Sequence, residues 1–266
     1  MKTHHYIDSE MTIPERIDLP HGIAMAFSCS SPLKTSGNED CASVISVNED
    51  ISLLVVADGL GGRPNGAAAS SILVETLEEA ISSVKNDTTV IRETILSCIE
   101  STNINLLQKN TGEGTTVAIL EINNNSVRSY HVGDSEILIT DSRGVTKYQT
   151  LSHSPIAYAV ESGFIDEDLA IAHEDRHYIS NYIGEPGMHI SIGTAMSVNK
   201  QDTLLLGTDG LFDNLFKHEI TGFIQETGIE KVAQNLKNLA SARMAEWKIS
   251  NPSKPDDLTF ILYRPG

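Results

Sequence analysis

Short apolar runs separated by polar turns alternate along this chain with longer segments of helical spacing. Leu54-Val55-Val56-Ala57 and Leu204-Leu205-Leu206-Gly207 have the continuous apolar character of strands buried on both faces. Strands are predicted at Gly22–Phe27, Ala42–Val47, Ile51–Ala57, Thr116–Ile122, Ser126–Val132, Glu136–Thr140, Val145–Gln149, Thr203–Thr208 and Leu258–Tyr263. Asn123-Asn124-Asn125 and Asp141-Ser142-Arg143-Gly144 are tight-turn sequences, so adjacent antiparallel hairpins are expected. A helical stripe runs through Ile72, Leu73, Leu77, Ala80, Ile81 and Val84, and a second through Ile91, Ile95, Cys98, Ile99 and Leu106. A third helix is predicted near Ile229 to Trp247, with Val232, Leu236, Ala240 and Met244 on one face. This order implies an α+β fold of mostly antiparallel sheets covered by helices. Met1 to Leu19 lacks clear periodicity and reads as an extension, residues 1–21, wrapping the surface or partly mobile; one domain then spans 22–266.

The ends of the apolar runs carry acids: Asn38-Glu39-Asp40, Asp58-Gly59-Leu60-Gly61-Gly62, Gly133-Asp134-Ser135, Thr208-Asp209-Gly210 and Asp256-Asp257. Carboxylates at the rim of a core, if they converge, repel one another. Two unit charges 4 Å apart at an effective dielectric near 20 interact by about 4 kcal/mol. With no basic residue inside the motifs, such a cluster calls for a hard divalent cation, and all-oxygen ligation suits magnesium or manganese. Asp58 is the leading candidate, because the glycines that follow it let the backbone approach an ion closely.

The motifs Asn38-Glu39-Asp40, Val55-Val56-Ala57-Asp58-Gly59-Leu60-Gly61-Gly62, Gly114-Thr115-Thr116, His131-Val132-Gly133-Asp134-Ser135-Glu136, Leu204 to Asp213 and Asp256-Asp257-Leu258-Thr259-Phe260 stand in one order. In that order the chain resembles the PP2C-type metal-dependent protein serine/threonine phosphatases, especially compact bacterial members. The resemblance implies a four-layer α/β/β/α sandwich with a metal site at one end between the sheets. It implies that Asp58 bridges two manganese or magnesium ions, that the Gly59 carbonyl binds one, and that Asp209 and Asp257 complete the first site. Glu39 and Asp40 match an early acidic pair acting mostly through water, and Asp134, between strands taken as paired, matches a ligand of a third, weaker ion. Asp256 reads as a turn or solvated residue. Two such ions would activate a bridging water for in-line attack, with no protein nucleophile.

Three positions depart from the family pattern. An arginine that grips the substrate phosphate is replaced by Thr35, beside Lys34; Leu60 stands where some members have histidine; and the usual Asp-His-Ser reads Ser152-His153-Ser154. Arg63 and Lys34 are the substitute cations for the phosphate, Arg63 being favoured for its paired donors. The segment Gly163 to Gly184 matches a variable flap, whose acidic character favours phosphosites flanked by basic residues.

Composition narrows the alternatives. The chain has 266 residues, 40% hydrophobic, enough for one large core. A formal net charge of −17 argues against nucleic acid and anionic membranes as partners. The longest apolar stretch, Leu53 to Ala57, is too short for a bilayer, and polar residues after Met1 to His5 give no secretory signal. Cys29, Cys41 and Cys98 form neither a CxxC pair nor an even disulfide framework, and they lack the setting of a phosphocysteine mechanism. His131, His153, His173 and His177 have no zinc-site spacing and read as surface or structural residues. The expected protein is a cytoplasmic monomer that removes phosphate from serine or threonine in proteins, opposing a kinase. A pseudophosphatase of the same fold and a hydrolase of small phosphoesters are the alternatives.

Overall fold

The computed structural model describes residues 1–32, 34–60, 65–85, 87–246 and 251–266. The chain runs β1 (Lys2–Ile7), β2 (Glu15–Leu19), β3 (Gly22–Cys29), β4 (Asp40–Ser46), β5 (Ile51–Asp58), α1 (Gly66–Val84) and α2 (Ile91–Lys109). It continues through β6 (Val117–Asn123), β7 (Ser126–Val132), β8 (Glu136–Thr140), β9 (Thr146–Gln149), α3 (Pro155–Glu161) and α4 (Glu167–Ala170). Then come β10 (Ser191–Ile192), β11 (Met196–Ser197), β12 (Thr203–Gly207), α5 (Asp209–Phe212), α6 (Lys217–Ile224), α7 (Ile229–Ala245) and β13 (Leu258–Pro265).

The strands form two antiparallel sheets. One has the order β1-β4-β5-β6-β7-β10, with β11 also on β7; the other has the order β2-β3-β13-β12-β8-β9. Between them lies a dry layer that includes Val44, Leu54, Val56, Leu120, Leu204, Leu206 and Ile261. Each such side chain contributes roughly 1.5–3 kcal/mol by leaving water. The outer face of the first sheet packs on α1 and α2 through Leu73, Leu77, Ile81, Ile95 and Ile99. The outer face of the second packs on α6 and α7 through Ile220, Val232, Leu236 and Ala240. Apolar side chains on both faces explain the unbroken hydrophobic runs of β5 and β12. The layers are those of the expected α/β/β/α sandwich.

Two expectations are corrected. Residues 1–21 are not set apart from the domain: β1 pairs with β4, placing Tyr6 opposite Ala42, and β2 pairs with β3. Tyr6 and Ile17 are their inward anchors, buried in the inter-sheet layer. The second correction concerns Asp134. The hairpins expected at Asn123–Asn125 and Asp141–Gly144 are β6–β7 and β8–β9, but they belong to different sheets. Strands β7 and β8 are therefore not paired, and Gly133-Asp134-Ser135 carries the chain from one sheet to the other. Gly133 has φ 104°, and a Cβ there would lie 2.7 Å from the Thr116 side chain.

Candidate active site

Asp40 and Asp58 face each other as a cross-strand pair at the end of β4 and β5. Asp58 is anchored through its backbone: its N–H donates to Thr116 Oγ1 (3.1 Å), and its carbonyl accepts from Thr116 N–H and Thr115 Oγ1. The next residue must be glycine, because a Cβ on Gly59 would stand 2.4 Å from the Gly66 backbone. Asp40 is buried, and its Oδ2 accepts a 2.8 Å hydrogen bond from Thr208 Oγ1, which ties the first sheet to the second. Asn38 braces the approach by donating to Ser9 O and Ser28 Oγ while accepting from Asp40 N–H.

From the second sheet come Asp209, opening α5 after β12, and the segment before β13. Gly210 fits closely here: a Cβ would lie 1.8 Å from the Asp257 carbonyl oxygen. Asp209, Asp134, Asp256 and Asp40 all act on the Asp58 carboxyl, which burial first, and then these charges, push well above the ordinary range. Burial and Asp209 likewise raise Asp134 to about 8, against the pull of Lys254. The same pair of causes raises Asp256 to about 7. Asp209 Oδ1 is buried without a hydrogen-bond partner among the described residues. These are features of an all-oxygen site whose charges a hard cation would compensate. Among the described residues no three acids, histidines or cysteines are already drawn into a metal cage.

A cation that sequence reading missed stands among these acids. Lys254 Nζ pairs with Asp209 and lies 3.2 Å from Asp213 and 3.3 Å from Asp256. Burial alone would lower its pKa, but Asp209, Asp213 and Asp256 outweigh that and raise it. Asn214 fixes the lysine backbone on both sides, accepting from its N–H and donating to its carbonyl. Asp213, four residues after Asp209, was also missed, although that spacing places both acids on one face of the α5 turn.

The structure sets the two members of the acidic doublet in different surroundings. Asp257, expected as an ion ligand, is 3% exposed and turned inward. Its Oδ1 accepts from Ser31 N–H (2.8 Å), and its Oδ2 accepts from Glu39 N–H (2.7 Å) and Lys34 Nζ (2.7 Å). Asp256 is the member that faces Asp209 and Lys254. Successive residues on extended backbone point to opposite sides, so one position decides which acid reaches the cluster. Lys34 also bonds Glu39 Oε2 at 2.5 Å, so its ammonium braces two carboxylates. Thr35 is exposed. Arg63, with Gly61 and Gly62, lies outside the described residues.

Behind the Gly133–Ser135 crossover, His131 and His153 stack with ring centroids 4.4 Å apart, and His189 leans on His153 at 4.8 Å. His153 Nδ1 accepts from Gly133 N–H and pairs with Asn181, and its Nε2 meets Ser191 Oγ. Ser154 caps α3 by accepting from Ala157 N–H. In the flap, Arg176 donates to the Ile171 and Ser253 carbonyls and lies 3.7 Å from Asp213.

A sequence model of the family described as protein phosphatase 2C matches residues 34–247. The chain belongs to the protein phosphatase 2C family. It is 28% identical over 223 residues to a putative protein phosphatase 2C-type of Streptococcus pyogenes, covering 79% of this chain and 88% of that one. A solved bacterial serine phosphatase is 26% identical, with a TM-score of 0.78 and coverage of 91% of this chain and 97% of its own. The catalytic domain of serine threonine protein phosphatase PstP, solved in complex with two manganese ions, superposes with a TM-score of 0.69 at 21% identity, covering 91% and 97%. This phosphatase is a serine/threonine phosphoprotein hydrolase, and metal dependence is general in its family. Among the described residues no helix is long and apolar enough to cross a membrane.

Proposed function

We propose that this phosphatase works through divalent ions held by Asp58, Asp209 and Asp256, with the Gly59 carbonyl beside them and Asp134 serving a further, weaker ion. The observation that carries this reading is the meeting of these carboxylates where β5 of one sheet, β12 and β13 of the other, and the crossover between them converge. Manganese or magnesium there supplies charge neutralisation for the phosphoryl oxygens and activation of the attacking water. The protein's own groups hold that arrangement. Thr115 and Thr116 fix the backbone of Asp58, and Thr208 orients Asp40, which with Glu39 serves ordered water around the site. Asp257, clamped by Ser31, Glu39 and Lys34, sets the position of its neighbour Asp256. Arg63 is the proposed phosphate clamp. Lys34 is assigned to bracing, because its ammonium is bound to two carboxylates.

The reading extends to the setting. Net charge of −17 and three free cysteines support a reducing cytoplasm and a protein, not nucleic-acid, substrate. There the phosphatase acts as a monomer that reverses the work of a serine/threonine kinase. Hydrolysis of a phosphothreonine peptide with and without manganese is the test, run alongside Asp209→Asn. The variant should lose on the order of a thousandfold in rate, equivalent to several kcal/mol of transition-state stabilisation. Manganese-independent turnover, or near-normal turnover by the variant, would contradict the assignment.

A further inference from the structure

A cavity of about 450 Å³ opens from Asp134 and Asp209 and runs away from the carboxylate cluster. Helices α3 and α4 form one wall, α5 and the start of α6 the other, and β8 the floor. Its two kinds of lining are distinct. Leu138, Ile156, Val160, Ile171, Phe212 and Ile220 make an apolar sleeve, while Glu136, Glu161, Glu167 and Asp168 add carboxylates beyond those of the ion site. The two cations in the wall are engaged: Arg176 with Asp213 and with the Ile171 and Ser253 carbonyls, and Lys217 with Glu167 at 3.2 Å. Glu136 Oε2 accepts from Gln149 Nε2 at 2.9 Å, which fixes its carboxylate at the cavity floor.

The geometry points to this cavity as a subsite for a basic residue, arginine above lysine, lying within a few positions of the phosphorylated serine or threonine. The inference rests on the phosphatase reading of the adjoining site and adds its sequence preference. An arginine has an apolar stem that matches the sleeve and a planar cation that can meet Glu136 and stack on an aromatic ring such as Phe212. Asp134 and Asp209 belong both to the carboxylate cluster and to the cavity lining, and same-side positions of an extended peptide substrate are roughly 7 Å apart. A peptide with its phosphate at the carboxylate cluster therefore delivers a side chain about two positions away into the cavity mouth. Acidic or small flanking residues gain nothing from this lining.

The test uses phosphothreonine peptides that differ by a single Arg, Ala or Glu at each position within three residues of the phosphate. At the best position, Arg should raise kcat/KM by about tenfold or more over Ala, mainly through KM, as expected of one charge-assisted contact. Ala157→Phe narrows the sleeve and Glu136→Gln removes the floor carboxyl with little change of shape; burial raises Glu136 to about 7, so the peptides are compared at pH 8. Each should reduce the Arg-to-Ala ratio towards one. Because that ratio is taken within each protein, a general loss of activity cancels. Fluorescence anisotropy with the same peptides carries the comparison without turnover, as a ratio of Kd values. Turnover with no Arg preference at any position overturns the subsite and leaves the phosphatase intact, as does a preference that survives both variants. Absence of turnover with Arg-selective binding would do the reverse.

Discussion

Replacing Lys254 by methionine should make the metal-free phosphatase less stable and at the same time a better binder of ions. The ammonium lies among Asp209, Asp213 and Asp256, and its side chain is 20% exposed. At 3.2–3.3 Å and an effective dielectric near 20, each pair attracts by about 5 kcal/mol before desolvation is counted. Removing one partner of a buried ion pair typically costs about 3–5 kcal/mol, because the charge left behind is uncompensated. Partial exposure of the acids puts the expectation at the lower end, about 3 kcal/mol. In a domain of this size that corresponds to a fall in Tm of roughly 6–12 °C. An ion entering the wild-type site must first part the ammonium from its carboxylates, whereas in the variant that cost is gone. If most of the 3 kcal/mol is recovered on binding, manganese affinity rises by roughly a hundredfold. Thermal unfolding in chelator and in excess manganese, with calorimetric titration, measures both halves. The variant should show a lower metal-free Tm and a larger manganese-induced rise. An unchanged or higher Tm in chelator would refute the counter-ion role. Weaker manganese binding would show that the lysine supports the ion ligands instead of competing with them.

The site's surroundings set three further outcomes. Asp256→Asn should weaken manganese binding at least tenfold while leaving the metal-free Tm unchanged or raised. Asp257→Asn should lower that Tm, since hydrogen bonds to a charged acceptor are worth about 1.5–3 kcal/mol each; the reversed pattern would return Asp257 to the ligand set. Burial, then His131 and His189, push His153 down to about 4. A histidine depressed on folding binds fewer protons than in the unfolded chain, so its stability contribution is complete above about 6.5 and is lost as pH falls towards 4. Between pH 7 and 4.5 the loss is roughly 2 kcal/mol, and urea unfolding at these two pH values should show it as an acid sensitivity that His153→Gln reduces; an equal pH dependence in the variant would contradict it.

The strand-end acids were legible because continuous apolar runs mark doubly covered strands, and a carboxylate after such a run has nowhere to go but the rim. Asp40, Asp58, Asp134 and Asp209 meet for that reason. The edge strands β1 and β2 were not legible: each is half exposed and buries few side chains, so polar residues mask the alternation. The doublet was ambiguous because adjacent positions on extended chain differ only in which way they face. Lys254 left no trace in the pattern, since a counter-ion lysine and a solvated one are the same residue until the fold brings three acids around it. Asp213 did leave a trace, its four-residue spacing from Asp209. The histidine stack could not be read, because β7, the loop before α3 and the segment before β10 converge only in three dimensions.

The hydrogen bond from Thr208 to Asp40 joins one sheet to the other at the rim where like charges crowd. Those charges push the two layers apart at that end, while the apolar layer behind them holds the layers together. The acidic rim is therefore held in place by the apolar layer behind it and by this bond. A cation bound there would relieve the repulsion between the two layers, so Leu54 and Ile261, which it would never touch, support the seat it would occupy.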